Sequence, residues 1–258
     1  MPSILFEISN SIATITLNRP EKYNAFNREM AFSLQHVLDE CENNPGVRCV
    51  YITGNGNAFC AGQDLGEVTD PNGPGMAKIL KEHFNPIVTK IRNLNKPVVA
   101  AVNGIAAGAG ANIALCCDIV IAAKSASFIQ AFSKIGLIPD NGVTFFLPRL
   151  IGFQKAGAFM MLGDKISAAE AEKYGMIYKF YEDGLFENSV NQIAASLSTL
   201  PTKALMLTRT ALMQSFTNSL EEQLELEKKL QDQAGHTDDF KEGVTAFFEK
   251  RLPVFTGK

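Results

Sequence analysis

The sequence predicts an α/β fold, and three observations predict it. Strand-like and helix-like segments alternate before residue 196. Two of the strand-like segments, 98–102 and 119–123, are nearly continuous in apolar residues, as strands covered on both faces are. From Ser196 onward no strand pattern remains, and leucines sit among Glu, Lys and Gln. Together these describe a wound strand–helix core over residues 1–195 and a helical C-terminal region over 196–258.

Each element follows from local chemistry. Residues 4–8 and 12–17 are rich in β-branched side chains, with the turn residues Ser9-Asn10-Ser11 between them, which predicts a hairpin. Asn18-Arg19-Pro20 ends it. Asn27 is placed to cap a helix whose apolar face is Met30, Leu34, Val37, Leu38 and Cys41, and which stops near Asn43-Asn44-Pro45-Gly46. A strand over 47–53, a helix around 76–94, the strand 98–102, a helix beginning near Gly108 and the strand 119–123 follow. In the tail, Leu205, Leu207, Leu212, Leu220, Leu224 and Leu230 recur, and a last helix over 238–251 carries Val244, Phe247 and Phe248 on one side. Those apolar faces require partners, and another subunit would supply them.

Composition narrows the function. Of 258 residues, 46% are hydrophobic and 20% charged, as in a globular protein. A net charge of -3 gives no basic field for nucleic acid. No apolar run approaches the ~18 residues of a membrane span. Met1-Pro2-Ser3 leads into apolar residues without the charged start of a secretory signal. The five cysteines are odd in number and contain no CxxC pair, so they read as reduced, buried thiols, and the expected compartment is the cytoplasm. There is no Walker loop, nucleophile elbow or HExxH, and His36, His83 and His236 stand at no ligand spacing. The glycines of 104–110 are in the wrong order for a dinucleotide loop.

Two turns built of small residues remain: Phe59-Cys60-Ala61-Gly62-Gln63-Asp64-Leu65, after the strand at 47–53, and Gly108-Ala109-Gly110-Ala111-Asn112, after the strand at 98–102. Small side chains let a ligand approach the backbone, and a helix start offers unpaired N–H groups. Facing each other, the two turns would form an oxyanion hole from main-chain donors. Taken singly, each is more often simple tight packing.

These two turns, with Leu17-Asn18-Arg19-Pro20, Asn24-Ala25, Lys96-Pro97, Cys117-Asp118, Gly136-Leu137-Ile138-Pro139 and the tail Lys241-Glu242-Gly243-Val244, run in order along nearly the whole chain. In that order they resemble the crotonase (enoyl-CoA hydratase/isomerase) superfamily. The resemblance implies a core of repeated ββα turns and a C-terminal helical region that builds homotrimers, often stacked as hexamers. It implies coenzyme A thioester substrates and no separate cofactor, because coenzyme A is part of the substrate. It puts the oxyanion donors at Ala61 and Ala109. Coenzyme A and the acyl group would meet Lys22, Asn24, Ala25, Gly62, Gln63, Asp64, Gly108, Asn112 and Phe132, with Lys250 reaching in from a neighbouring subunit.

Hydratases of the family use two glutamates, and the positions that match them here are Asn112 and Phe132. Neither side chain does acid–base work. The next carboxyl is Asp140, in Ile138-Pro139-Asp140-Asn141-Gly142, where a subset of the family carries its one catalytic acid. By itself Pro-Asp-Asn-Gly is turn chemistry; with the resemblance, Asp140 becomes the expected proton carrier. One carboxyl suits a 1,3-proton shift. The runs 106–112 and 132–140 resemble most the ring-1,2-epoxyphenylacetyl-CoA isomerases of phenylacetate catabolism, which also shift enoyl double bonds. A straight-chain Δ3,Δ2-enoyl-CoA isomerase, a hydratase and a noncatalytic CoA-binding member remain alternatives. Phe128, Phe132, Phe145 and Phe146 are candidates to line an aryl pocket.

Overall fold

A computed structural model describes residues 1–258. The hairpin forms as expected from β1 (Ile4–Ser9) and β2 (Ile12–Leu17). Ala13, Ile15 and Leu17 alternate inward from β2, and α1 (Arg28–Asn43) buries the stripe Met30, Leu34, Val37, Leu38 and Cys41. Asn27 caps α1 by accepting a hydrogen bond from the Met30 N–H at 2.9 Å.

The repeat that the resemblance implies is present. Strand β3 (Cys49–Gly54) is followed by the short β4 (Ala58–Cys60). In the same way β5 (Val98–Val102) is followed by β6 (Ile105–Ala107), and β7 (Ile119–Ala123) by β8 (Ser127–Ile129). The long strands build one parallel sheet on the hairpin, and the short ones build a second. β9 (Lys165–Ser167) closes the small sheet antiparallel to β8, and β10 (Lys179–Tyr181) closes the large one beside β7. Every residue of β5 is buried, which accounts for its unbroken apolar run. The corner between β5 and β6 is Gly104, where a Cβ would stand 2.2 Å from the Asn57 carbonyl oxygen. Only glycine lets the two corners touch.

The five short strands are absent from the sequence-based reading. Each has three residues, too few to show an alternation of period two.

Helices fill the rest. After the four-residue α2 (Leu65–Val68), α3 (Met76–Ile79), a π turn (Leu80–Phe84) and α4 (Asn85–Asn93) run end to end where one helix was expected. α5 (Ala109–Leu115) is wholly buried. α6 (Val143–Ile151), α7 (Phe153–Leu162) and α8 (Ala168–Lys173) lead to α9 (Asp183–Thr199), which crosses residue 196. α10 (Thr202–Gln214), α11 (Leu220–Gly235) and α12 (Asp238–Glu249) complete the tail. Arg209 of α10 and Arg92 of α4 both pair with Asp118 at 3.2 Å, joining tail to core. Leu212, Phe216, Leu220, Leu224, Phe247 and Phe248 stay exposed. No helix is long and apolar enough to cross a membrane.

Candidate active site

The two turns do face each other. β4 pairs with β6 through Cys60 and Ala106, which sets the 60–64 loop beside the start of α5. Gly110 packs directly on Cys60: a Cβ there would lie 2.3 Å from the Cys60 carbonyl oxygen. A Cβ on Gly62, whose φ is +99°, would lie 3.3 Å from the Ala109 nitrogen. Gly108, also at positive φ, turns the chain into α5 beneath the Phe132 ring. Burial pushes the Cys60 thiol up to about 12, and the thiol donates to the Asn24 carbonyl oxygen at 3.0 Å.

One oxyanion assignment needs correction. The Ala61 N–H already donates to the Tyr23 carbonyl oxygen at 2.9 Å, so it has no hydrogen bond to offer a substrate. The free donor on this loop is Gln63. The Phe26 N–H donates to Gly62 O at 2.7 Å, and the Asp64 N–H donates to Phe26 O at 2.8 Å. In extended backbone successive N–H groups face opposite ways, so the intervening Gln63 N–H points away from Phe26. It has no acceptor in the protein, and neither has the Ala109 N–H. The sequence signal is the Gly-Gln-Asp order itself: the residue after the positive-φ glycine has the free N–H.

Several expected ligand contacts prove to be scaffold. Asn24 is fully buried: its Oδ1 accepts from the Arg19 N–H, and its Nδ2 donates to Asn55 O and Ala58 O. Asp64 caps α2 through the Gly66 N–H and pairs with Arg19 at 3.0 Å. Burial alone would raise the Asp64 carboxyl, but the Arg19 and Gly66 hydrogen bonds outweigh it and hold the group below its usual range. Arg19 also donates to Ala25 O, so one guanidinium fastens both loops. No site role for Arg19 follows from the sequence, since its charged partner, Asp64, lies 45 residues on. Lys22 and Ala61 are exposed, Ala25 is buried, and Lys250 ends α12 in the left-handed region, exposed.

Asp140 lies in the turn before α6, tied to α5 through Asn112. Its Oδ1 is buried without a hydrogen-bond partner. Burial pushes its carboxyl up to about 6, against its own backbone N–H and the Asn112 amide, which pull it down. Asn112, expected to meet substrate, instead spends its amide on the protein: Nδ2 donates to Asp140 O at 3.1 Å, and Oδ1 accepts from Gln130 Nε2 at 2.6 Å. Of the candidate aryl residues, Phe132 stays at Gly108 while Phe128 enters the core. Phe145 and Phe146 line a cavity with Arg92, Arg149, Leu212 and Phe216, between α6 and α10. A site with paired main-chain donors and a carboxyl that titrates near neutrality can stabilise an enolate and move its proton.

Known proteins resemble this chain over nearly its whole length. The enoyl-CoA hydratase/isomerase family model matches residues 7–258. The 1,2-epoxyphenylacetyl-CoA isomerase of Escherichia coli is 46% identical, with 100% of each chain covered. A Rhodobacter capsulatus protein named "Probable enoyl-CoA hydratase" is 44% identical over 99% of this chain and 98% of its own. The crystal structure of an enoyl-CoA hydratase from Bacillus anthracis superposes with a TM-score of 0.91 at 33% identity, covering 99% of this chain and 100% of that one.

Proposed function

Because the chain belongs to the enoyl-CoA hydratase/isomerase family, we propose that it is an acyl-CoA isomerase, acting on ring-1,2-epoxyphenylacetyl-CoA and also shifting Δ3 double bonds to Δ2. The observation that carries this is the Asp140 carboxyl, whose Oδ1 is buried without a partner, on a turn hydrogen-bonded to the helix that starts with the free Ala109 N–H. Asp140 takes a proton from the carbon beside the thioester carbonyl. The electron pair moves onto the thioester oxygen, which the Gln63 and Ala109 N–H groups hold. In the double-bond shift, collapse of the dienolate returns the proton from Asp140 to the γ-carbon. Each such donor contributes about 3 kcal/mol in comparable acyl-transfer sites.

Hydration is the rival reading, favoured by the relative named as a hydratase. It requires one carboxyl to activate water and another to protonate carbon, and Asn112 and Phe132 supply neither. A turnover panel of 3-enoyl-CoA, 2-enoyl-CoA and epoxyphenylacetyl-CoA separates the two. We expect isomerisation of the first and third and very slow hydration of the second; hydration as fast as isomerisation would overturn the reading. A noncatalytic CoA-binding protein would not exchange substrate α- or γ-protons with deuterated solvent, whereas the enzyme proposed here would.

The exposed apolar side chains of α10 to α12 support assembly as a homotrimer or a dimer of trimers, with Lys250 reaching a neighbour's coenzyme A. A monodisperse monomer in light scattering at micromolar concentration would refute that assembly.

A further inference from the structure

Gln130 has no exposed surface and immediately precedes a 3-10 turn, Ala131–Ile135. Its carboxamide belongs to a relay whose direction is forced. The Asp140 main-chain carbonyl can only accept, so Asn112 must turn its NH2 toward Asp140 and its oxygen toward Gln130. That oxygen in turn requires the NH2 of Gln130. With Gln130 in place, the Asn112 amide has one orientation.

The relay matters because of where Asn112 sits. It lies on α5, one turn after Ala109, whose N–H is one of the two free donors. Asp140, by contrast, lies in a turn whose next two residues, Asn141 and Gly142, are both left-handed, with φ of 51° and 75°. Its carbonyl oxygen accepts from the Val143 N–H within the turn and from Asn112 across to α5. The Asn112 bond therefore ties the carboxyl-bearing turn to the same short helix that presents the oxyanion donor.

We propose that Gln130 is a positioning residue: by locking the Asn112 amide it holds Asp140 and the Ala109 N–H in one rigid frame, at the separation that the proton transfer needs. This rests on the reading of Asp140 as the proton carrier. Misplacing a reacting group by about 1 Å costs on the order of 10²-fold in rate. The Asn112 amide also lowers the Asp140 pKa, while burial raises it, and no ionised side chain is among the groups that shift it. Losing the relay therefore moves Asp140 further upward.

Two variants test this beside Asp140→Asn. Gln130→Met keeps the volume and removes the donor. Gln130→Leu removes it with a branched side chain, so that no new charge enters the buried site. For both we expect kcat to fall about 10- to 100-fold, KM to change little, and the acid limb of the pH–rate profile to move to higher pH. The folded fraction of each variant is measured by thermal melting beside kcat, which separates orientation from lost packing. Wild-type kcat with an unmoved acid limb would overturn the proposal, as would a kcat loss that only follows the folded fraction. If Asp140→Asn abolishes turnover while both Gln130 variants behave as wild type, the relay fails and the Asp140 reading stands. If Asp140→Asn stays active, the Asp140 reading itself fails.

Discussion

The two sides of the proposed site are made of different material. One is main chain: the Gln63 and Ala109 N–H groups, held by strand pairing and by glycines at points of close approach. The other is side chain: the Asp140 carboxyl, on a turn whose main-chain carbonyl is held by a relay of carboxamides. The main-chain wall is indifferent to which side chain stands at a donor position and intolerant of any Cβ at its contact points. The carboxyl wall has the reverse sensitivities. A backbone hole can persist through side-chain change while the acid opposite it is exchanged, so the acid is the place where the chemistry of such a fold is decided.

The sharpest break in this comparison is Asp140→Asn. It keeps the shape of the side chain and removes the base, so kcat should fall about 10²–10⁴-fold with KM nearly unchanged in steady-state assays. On the main-chain wall the corresponding lesion is Gly110→Ala, because its Cβ would lie 2.3 Å from Cys60 O. The loops must part, costing roughly 1–3 kcal/mol in denaturant titrations and about 10²-fold in kcat as the Ala109 N–H moves.

A third test uses pH. The acid limb of kcat/KM should have its midpoint near the Asp140 value of about 6. The sign for stability is opposite to that of a salt-bridged carboxyl. Asp140 binds its proton more tightly folded than unfolded, so stability falls as pH rises from about 4 to about 6. Asp140→Asn escapes that loss. It should raise stability at pH 7 to 8 by on the order of 3 kcal/mol and give no gain below pH 4, in denaturant titrations at each pH. A variant that is inactive yet more stable is what a carboxyl kept for catalysis predicts.

The smallest effect should come from Gln63→Ala. It keeps the N–H and loses the side-chain bond from Nε2 to Glu67, 2.8 Å long. One such bond contributes about 0.5–1.5 kcal/mol, so the change in kcat should stay within about tenfold. A loss as large as that of Asp140→Asn would mean that this wall depends on its side chains after all.

Legibility in the sequence divides along the same line. Elements with a repeating apolar pattern are readable, as 98–102 and 119–123 show by matching β5 and β7 residue for residue. The three-residue strands are not, because their pairing partners, not their own pattern, make them strands. Asp140 is singled out only by the family resemblance, because Pro-Asp-Asn-Gly by itself is turn chemistry. The donor at Gln63 is misread as Ala61 because the direction of an N–H depends on which neighbours its loop pairs with, here Tyr23 and Phe26. Gln130 gives no signal at all: a lone glutamine before a turn acquires meaning only when Asn112 arrives from 18 residues earlier.

Cys60 stands in the loop that carries one of the donors, a thiol within the same few residues as a proposed thioester. A thioester is an activated acyl group, and a thiolate is the nucleophile that would take it. An ionised cysteine there would acylate itself and leave free coenzyme A, ending the enzyme's life after one encounter. With its thiol held at about 12 by burial and its S–H turned into the Asn24 carbonyl, Cys60 stays protonated at any physiological pH. The packing of Gly110 against it, which aligns the two turns, also covers the sulfur, so a thioester bound at the proposed site would meet no nucleophile there.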